Sequence, residues 1–228
     1  VFRLSGSTTM PTGFGSVLLG NTSTVEFNGT LTQTIGAFNY GHLTSSGSGN
    51  RTLASSGSIG ITGVFTPGTN TYATAGSTVN FNGSNQSIPV FNAATGYNNL
   101  TISQVTGKAA IAGNITVGGS LNLTSGSLDL GSNVLTLAGA AAIAGSPFSA
   151  SKMIIADGGG ELRKILAGNN TYLFPTGDNT GTPEYSPVTL NYTSGTYATG
   201  AYTAVKLSNV KHPANTSTIN YLNRYWII

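Results

Sequence analysis

The chain contains no cysteine, which excludes disulfides and thiolate metal sites. It has little charge: Asp, Glu, Lys and Arg together make up 7 % of its 228 residues, against a usual share of about 25 %. The net charge is only +3. The nine basic residues are spread from Arg3 to Arg224, and only Arg163 and Lys164 are adjacent. A surface that binds phosphates needs clustered cations, so the pattern gives no support to nucleic-acid binding. No run approaches the ~20 apolar residues of a membrane helix. The most apolar stretch, Leu135 to Gly145, is short and interrupted by glycine. Helical periodicity is missing as well. The best candidate, Ala140 to Ala144, is flanked by Gly139 and Gly145, which disfavour a helix. No signal peptide is visible. The chain opens on the strand-like Val1-Phe2-Arg3-Leu4, so the expectation is that any export signal has been removed or lies outside this sequence.

What fills the chain is Gly, of which there are 32, together with Ser, Thr and Asn. Such a composition alone would allow disorder. Disorder, however, goes with high net charge and few aromatic or β-branched residues, whereas this chain has 10 Tyr and 9 Phe. Short runs with apolar residues two apart recur throughout: Thr24-Val25-Glu26-Phe27, Thr78-Val79-Asn80-Phe81, Leu121-Asn122-Leu123, Leu135-Thr136-Leu137. That period places alternate side chains on one buried face, and each run is bounded by Gly, Ser or Asn.

There is also an internal repeat. Ser23-Thr24-Val25-Glu26-Phe27-Asn28-Gly29 recurs 54 residues later as Ser77-Thr78-Val79-Asn80-Phe81-Asn82-Gly83. The likeness continues with Gln33 against Gln86, Phe38-Asn39 against Phe91-Asn92, and Ile59-Gly60-Ile61 against Ile115-Thr116-Val117. Several strands per unit at this period predict a parallel β-solenoid with two or three coils per repeat. Stacked coils bury one another's apolar faces and satisfy one another's backbone groups, with Gly and Asn at the corners.

Near residue 150 the pattern changes. Four of the six acids, Asp157, Glu161, Asp178 and Glu184, lie beyond it, with longer alternating strands such as Ala201 to Leu207. The expected organisation is therefore all-β. A β-solenoid-like repeat region over 1–149 is followed by a small antiparallel β-sandwich-like domain over 150–228, its terminal strand shared with a neighbour. Both ends of the chain read as apolar strands. Val1, Phe2 and Leu4 at one end, and Tyr225, Trp226, Ile227 and Ile228 at the other, are the candidate assembly residues for strand addition between copies. Such a head-to-tail contact need not close and would yield a filament.

Three segments resemble a known group. Ser77 to Gly139 resembles repeats in large secreted surface proteins of Bacteroidetes-type bacteria. Tyr172-Leu173-Phe174-Pro175-Thr176-Gly177 with Tyr185-Ser186-Pro187-Val188-Thr189-Leu190 is similar to the segment that follows those repeats, and Asn223-Arg224-Tyr225-Trp226 to the motif that opens their next module. The resemblance implies a long, exported, adhesin-like protein delivered by the type IX route, with no catalytic residues to carry over. In such proteins the last motif leads into a further domain, so the chain is expected to be either a fragment or a subunit whose terminal strand is completed elsewhere.

No reactive set emerges from the residues, and we read no enzyme and no cofactor. Asp157 and Glu161 flank a glycine-rich turn but have no companions for acid–base work. His42 and His212 are isolated, Asp178 with Glu184 offers only a weak oxygen set for calcium, and the Asn-X-Ser/Thr triplets read as corners. The leading expectation is a structural segment of an extracellular filament or cell-surface adhesin. Its partners would be copies of itself, adjacent modules of the same chain, or surface glycans. The alternatives are a carbohydrate-binding or carbohydrate-degrading β-helix, and an ice-binding solenoid in which Thr30-Leu31-Thr32-Gln33-Thr34 would form a threonine rank.

Overall fold

The computed structural model describes residues 1–7, 9–10 and 17–228. It is a parallel β-solenoid of about eight turns with a small antiparallel part, and no helix forms among the described residues. None is therefore present to cross a membrane.

The early coils each carry three strands. After β1 (Phe2–Leu4) come β2 (Thr24–Phe27), β3 (Gln33–Ile35) and β4 (Asn39–Tyr40). The next coil is β5 (His42–Ser45), β6 (Arg51–Leu53) and β7 (Ile59–Ile61), and the next β8 (Phe65–Thr66), β9 (Tyr72–Ala73) and β10 (Thr78–Phe81). Each strand pairs in parallel with its counterpart one coil away, giving three faces: β1-β2-β5-β8, β3-β6-β9 and β4-β7-β10. Further along, β11 (Ser87–Ile88) precedes two long strands, β12 (Tyr97–Ile111) and β13 (Ile115–Asp129), that run around corners. Then come β14 (Val134–Leu137), β15 (Ala142–Ala144) and β16 (Ile154–Ile155).

The period-2 pattern explains the core. On the third face Tyr40, Ile61, Phe81, Ile102 and Leu123 stand in register across successive strands, spaced 20 or 21 residues apart. All five are fully buried, and each such side chain contributes roughly 1.5–3 kcal/mol of burial free energy. Their outward neighbours are small and polar, for example Asn80, Thr101 and Asn122. Phe65, Tyr72, Phe91 and Tyr97 add a chain of ring contacts, with centroids as close as 4.5 Å between Phe91 and Tyr97.

Corners need left-handed backbone. Where the third face turns into the first, Asn85 has φ 49°, Gly107 φ 73° and Gly126 φ 75°. A Cβ on Gly107 would lie 2.0 Å from Asn85 Oδ1 in the coil above, so this position has both a conformational and a steric reason to be glycine.

The 54-residue repeat has an unexpected basis. β2 lies on the first face, while its repeat copy β10 lies on the third. β3 (second face) corresponds to β11 (first), and β7 (third) to the start of β13, which pairs with β14 on the second. The repeat thus spans two coils and two faces. It encodes a strand–corner–strand unit that all three faces can use.

The ladders also run past residue 150. β16 continues the first face under β13, and β17 (Glu161–Ile165) pairs in parallel with β14. β18 (Thr171–Phe174) follows, then β19 (Thr176–Asp178), which pairs in parallel with β16. Antiparallel pairing begins on these last strands. β20 (Glu184–Tyr185) pairs with β19 and β21 (Val188–Asn191) with β18. β22 (Tyr202–Ser208) pairs with β17, and β23 (Tyr225–Ile227) with β22. Val205 of β22 belongs to the same buried cluster as Leu4 and Val25. The change in composition near 150 therefore coincides with strands laid onto the end of one continuous core, and not with a break in it.

Candidate functional site: inward corners and the docked terminal strand

The apolar interior is interrupted at its corners by polar side chains that turn inward. Gln86 is the most complete example. Its Oε1 accepts from Gly83 N at 2.6 Å and from Gln104 Nε2 at 2.9 Å, while its Nε2 donates to the carbonyls of Ile61 and Gly63, both at 2.8 Å. All four hydrogen-bonding positions of the amide are filled. Gln104 extends the chain by donating to Phe81 O at 3.0 Å. Gln33 does the same at the corner between first and second faces, accepting from Gly29 N and donating to Leu4 O, both at 2.8 Å. Phe-Asn-Gly followed by Gln is thus a corner device, and Gln33 and Gln86 are its equivalent members.

Two cations serve the same purpose. Arg51 is fully buried, in register with Gln33 above and Tyr72 below. Its guanidinium donates to the carbonyls of Gly49 (2.6 Å), Phe27 (2.7 Å), Asn50 (3.1 Å) and Ser46. Lys164 Nζ, at the corner between second and third faces, donates to Ala138 O (2.7 Å), Gly139 O (2.8 Å) and Ala141 O (2.6 Å). Neither cation has a carboxylate partner among the described residues. Desolvation lowers the pKa of each from its ordinary value. A buried unpaired charge is costly, and here the carbonyl dipoles of a sharp corner offset that cost. Sequence reading missed both cations, because neither Arg51 after Gly49-Asn50 nor Lys164 beside Arg163 carries a local sign that its side chain turns inward.

At the far end of the solenoid the terminal strand is docked. Three of the four candidate assembly residues at this end, Tyr225, Trp226 and Ile227, have a local partner strand, while Ile228 lies beyond it and is exposed. Ile227, Trp226 and Tyr225 pair with Lys206, Leu207 and Ser208 of β22. Arg224 NH1 donates to Asp178 Oδ2 at 3.2 Å and to Ser186 Oγ at 3.0 Å, and NH2 pairs with Glu184. Trp226 Nε1 donates to Ser186 O at 3.0 Å. The two terminal motifs, 172–190 and 223–226, therefore meet in space within one chain. Gly177 makes the approach feasible: a Cβ there would stand 2.2 Å from Met153 Sδ and 2.4 Å from Glu184 O. Asp178 is fully buried. Burial raises its pKa, Arg224 pulls it back down, and Asp157 raises it further. The oxygen set considered for calcium is thus occupied by a guanidinium.

The other end differs. Leu4 is buried in the core, whereas Phe2 is exposed on β1, the edge strand of the first face, and Val1 just before it is exposed as well. Of the seven candidate assembly residues, Leu4 is thus committed to the interior.

The remaining candidates are each engaged separately. Glu161 pairs with Arg163, while Asp157 accepts from Thr180 Oγ1 at 2.9 Å, so these two acids do not form a working pair. The two acids of the repeat region are ion-paired, Glu26 with Arg3 and Asp129 with Lys108. His42 Nδ1 accepts from Val64 N and His212 Nδ1 from Ala214 N. The threonine rank begins with Thr34 beside Thr52 but meets Ala73 in the next coil. No group of three or more His, Asp or Glu able to hold a metal ion occurs among the described residues. No protein-family model matches the chain, no curated protein matches it, and no solved structure matches it.

Proposed function

We propose that this chain is a structural segment of a bacterial extracellular filament or surface adhesin, acting as a stiff rod and not as a catalyst. The observation that carries the reading is the unbroken interior. Apolar columns run from coil to coil, and several corners are tied to a neighbour by a buried amide or cation, as at Gln86, Arg51 and Lys164. An axial load is then shared by three ladders and by the corner bonds between them. The exterior of Thr, Asn and Ser, with its few charges, suits a long-lived surface exposed to changing ionic strength, because little of its stability is subject to salt screening. Export of the chain and its display outside the cell belong to the same proposal.

The test is immunolabelling of intact cells of the source organism with an antibody raised against the purified chain. Surface label that external protease removes supports the proposal. Label that appears only after the cells are opened refutes it.

A further inference from the structure

Two of the three ladders close at the last turn of the solenoid, and one does not. Val134–Leu137 pair with Glu161–Lys164 on the second face, and Ile154–Ile155 with Thr176–Gly177 on the first. On the third face β15 pairs only with β13, and β18 only with β21. Between β15 and β18 lies a cavity of about 530 Å³, walled by Leu137, Ala142, Ile143, Tyr172 and Phe174. No residue of β21 lines it, so the edge of β18 that faces β15 carries no strand. Its volume falls in the range of binding cavities, and its two long walls are unpaired strand edges.

The chain also displays a strand-like sequence that belongs to no ladder. Ser217-Thr218-Ile219-Asn220-Tyr221 repeats, class for class, Ser77-Thr78-Val79-Asn80-Phe81, whose last four residues are the third-face strand β10. In β10, Val79 and Phe81 point into the core while Thr78 and Asn80 point out. In the displayed segment the two matching apolar residues face solvent: Ile219 is 83 % exposed and Tyr221 47 %, with Leu222 next to them at 70 %. The segment is bent around Ser217 Oγ, which accepts from Asn220 N at 3.0 Å.

We propose that residues Thr218–Leu222 of one copy enter the gap between β15 and β18 of a second copy as an extended strand, completing its third-face ladder. Ile219 turns inward in line with Leu121 and Ile143 and Tyr221 in line with Leu123, while Thr218 continues the outer rank of Ser120 and Ala142 and Asn220 that of Asn122 and Ala144. A second copy is the donor because of where the segment is rooted. β22 and β23 hold its ends beside the corner between first and second faces, where Leu207 N donates to Ala156 O. In a three-sided cross-section the third face lies opposite that corner. The inference rests on ladder geometry and holds wherever the protein acts, so its failure leaves the surface-labelling result untouched.

The absence of native cysteine makes the test direct. Full-length Asn220→Cys and Ala144→Cys chains, purified separately, are mixed and oxidised, since Ala144 is the outward β15 residue in the Asn122 rank. Outward residues on adjacent strands have Cβ atoms about 4.5–5.5 Å apart, within reach of a disulfide. The expected result is a mixed dimer well above that formed by Asn220→Cys with the remote control Ser48→Cys. Sedimentation of the cysteine-free chain is expected to show association that Ile219→Asp weakens about tenfold or more, while Ile219→Val leaves it unchanged. Because Ile219 is exposed in the free chain, the Asp variant still folds. Cross-linking confined to single chains of the Ala144→Cys/Asn220→Cys double variant overturns the second copy as donor. No cross-link above the control, with a monomer at all concentrations, overturns the proposal as a whole.

Discussion

Gln86→Leu removes one corner tie at nearly constant volume. Four groups lose a hydrogen bond, namely Gly83 N, the carbonyls of Ile61 and Gly63, and Gln104 Nε2, although Ile61 O still accepts from Asn82 N and Gln104 Nε2 still donates to Phe81 O, both at 3.0 Å. A buried group left without a partner costs about 1–3 kcal/mol. Gly63 sits on a half-exposed corner, where water can replace the lost donor, so its share is small. Gly83 N is buried and bears most of the loss, since Ile61 O keeps Asn82 N. The expected destabilisation is about 2 kcal/mol, read from the denaturant midpoint with the slope of the transition checked for constancy. Gln104→Leu alone is expected to cost less, because Phe81 O and Gln86 Oε1 lose single donors and the bond its Oε1 accepts from Gln86 N is a long one at 3.2 Å. The double variant should lose less than the sum of the two, as the residues share a hydrogen bond. A loss below 1 kcal/mol for Gln86→Leu, or strict additivity with Gln104→Leu, would refute the assignment of these glutamines as ties.

Two further perturbations have predicted signs. Burial pushes the Tyr72 phenol up to about 12 from its ordinary 10.0. Its folded value lies above its unfolded one, so its contribution is whole below pH 10 and is lost as pH rises through 12, amounting to about 2–3 kcal/mol. Tyr72→Phe is expected to flatten the alkaline limb of the stability profile by that amount, and an unchanged limb would contradict it. Arg224→Ala leaves Asp178 buried without its cation and is expected to destabilise the docked strand by about 2–4 kcal/mol, seen as faster tryptic cleavage after Lys206 and Lys211. Adding Asp178→Asn should restore much of the protection, and failure to do so would mean that charge burial is not the cause.

The fold class was legible because apolar residues two apart leave a clear trace in strands such as Thr78–Phe81. The number of faces was not, since a corner of four residues and a longer loop look alike in sequence. The 54-residue repeat was visible, but its meaning depended on which face each copy occupies, and pairing between distant strands sets that. The equivalence of Gln33 and Gln86 was in the repeat, yet their inward direction was not. Arg51 and Lys164 ran against expectation because carbonyls, and not carboxylates, compensate them. The docking of the terminal strand was hidden for a similar reason. Arg224 finds Asp178 and Glu184 some 40 residues back, and no local pattern announces that meeting.

The most direct measurement is single-molecule extension of the chain along the solenoid axis. One coil spans about 21 residues on the third face, which extended is roughly 70 Å at about 3.3–3.6 Å per residue. Tied coils are expected to yield one after another, in a train of force peaks separated by about 65–70 Å, with the spacing lost around the coil altered by Gln86→Leu. Smooth extension of the whole chain without peaks would contradict the reading of this protein as a structural rod.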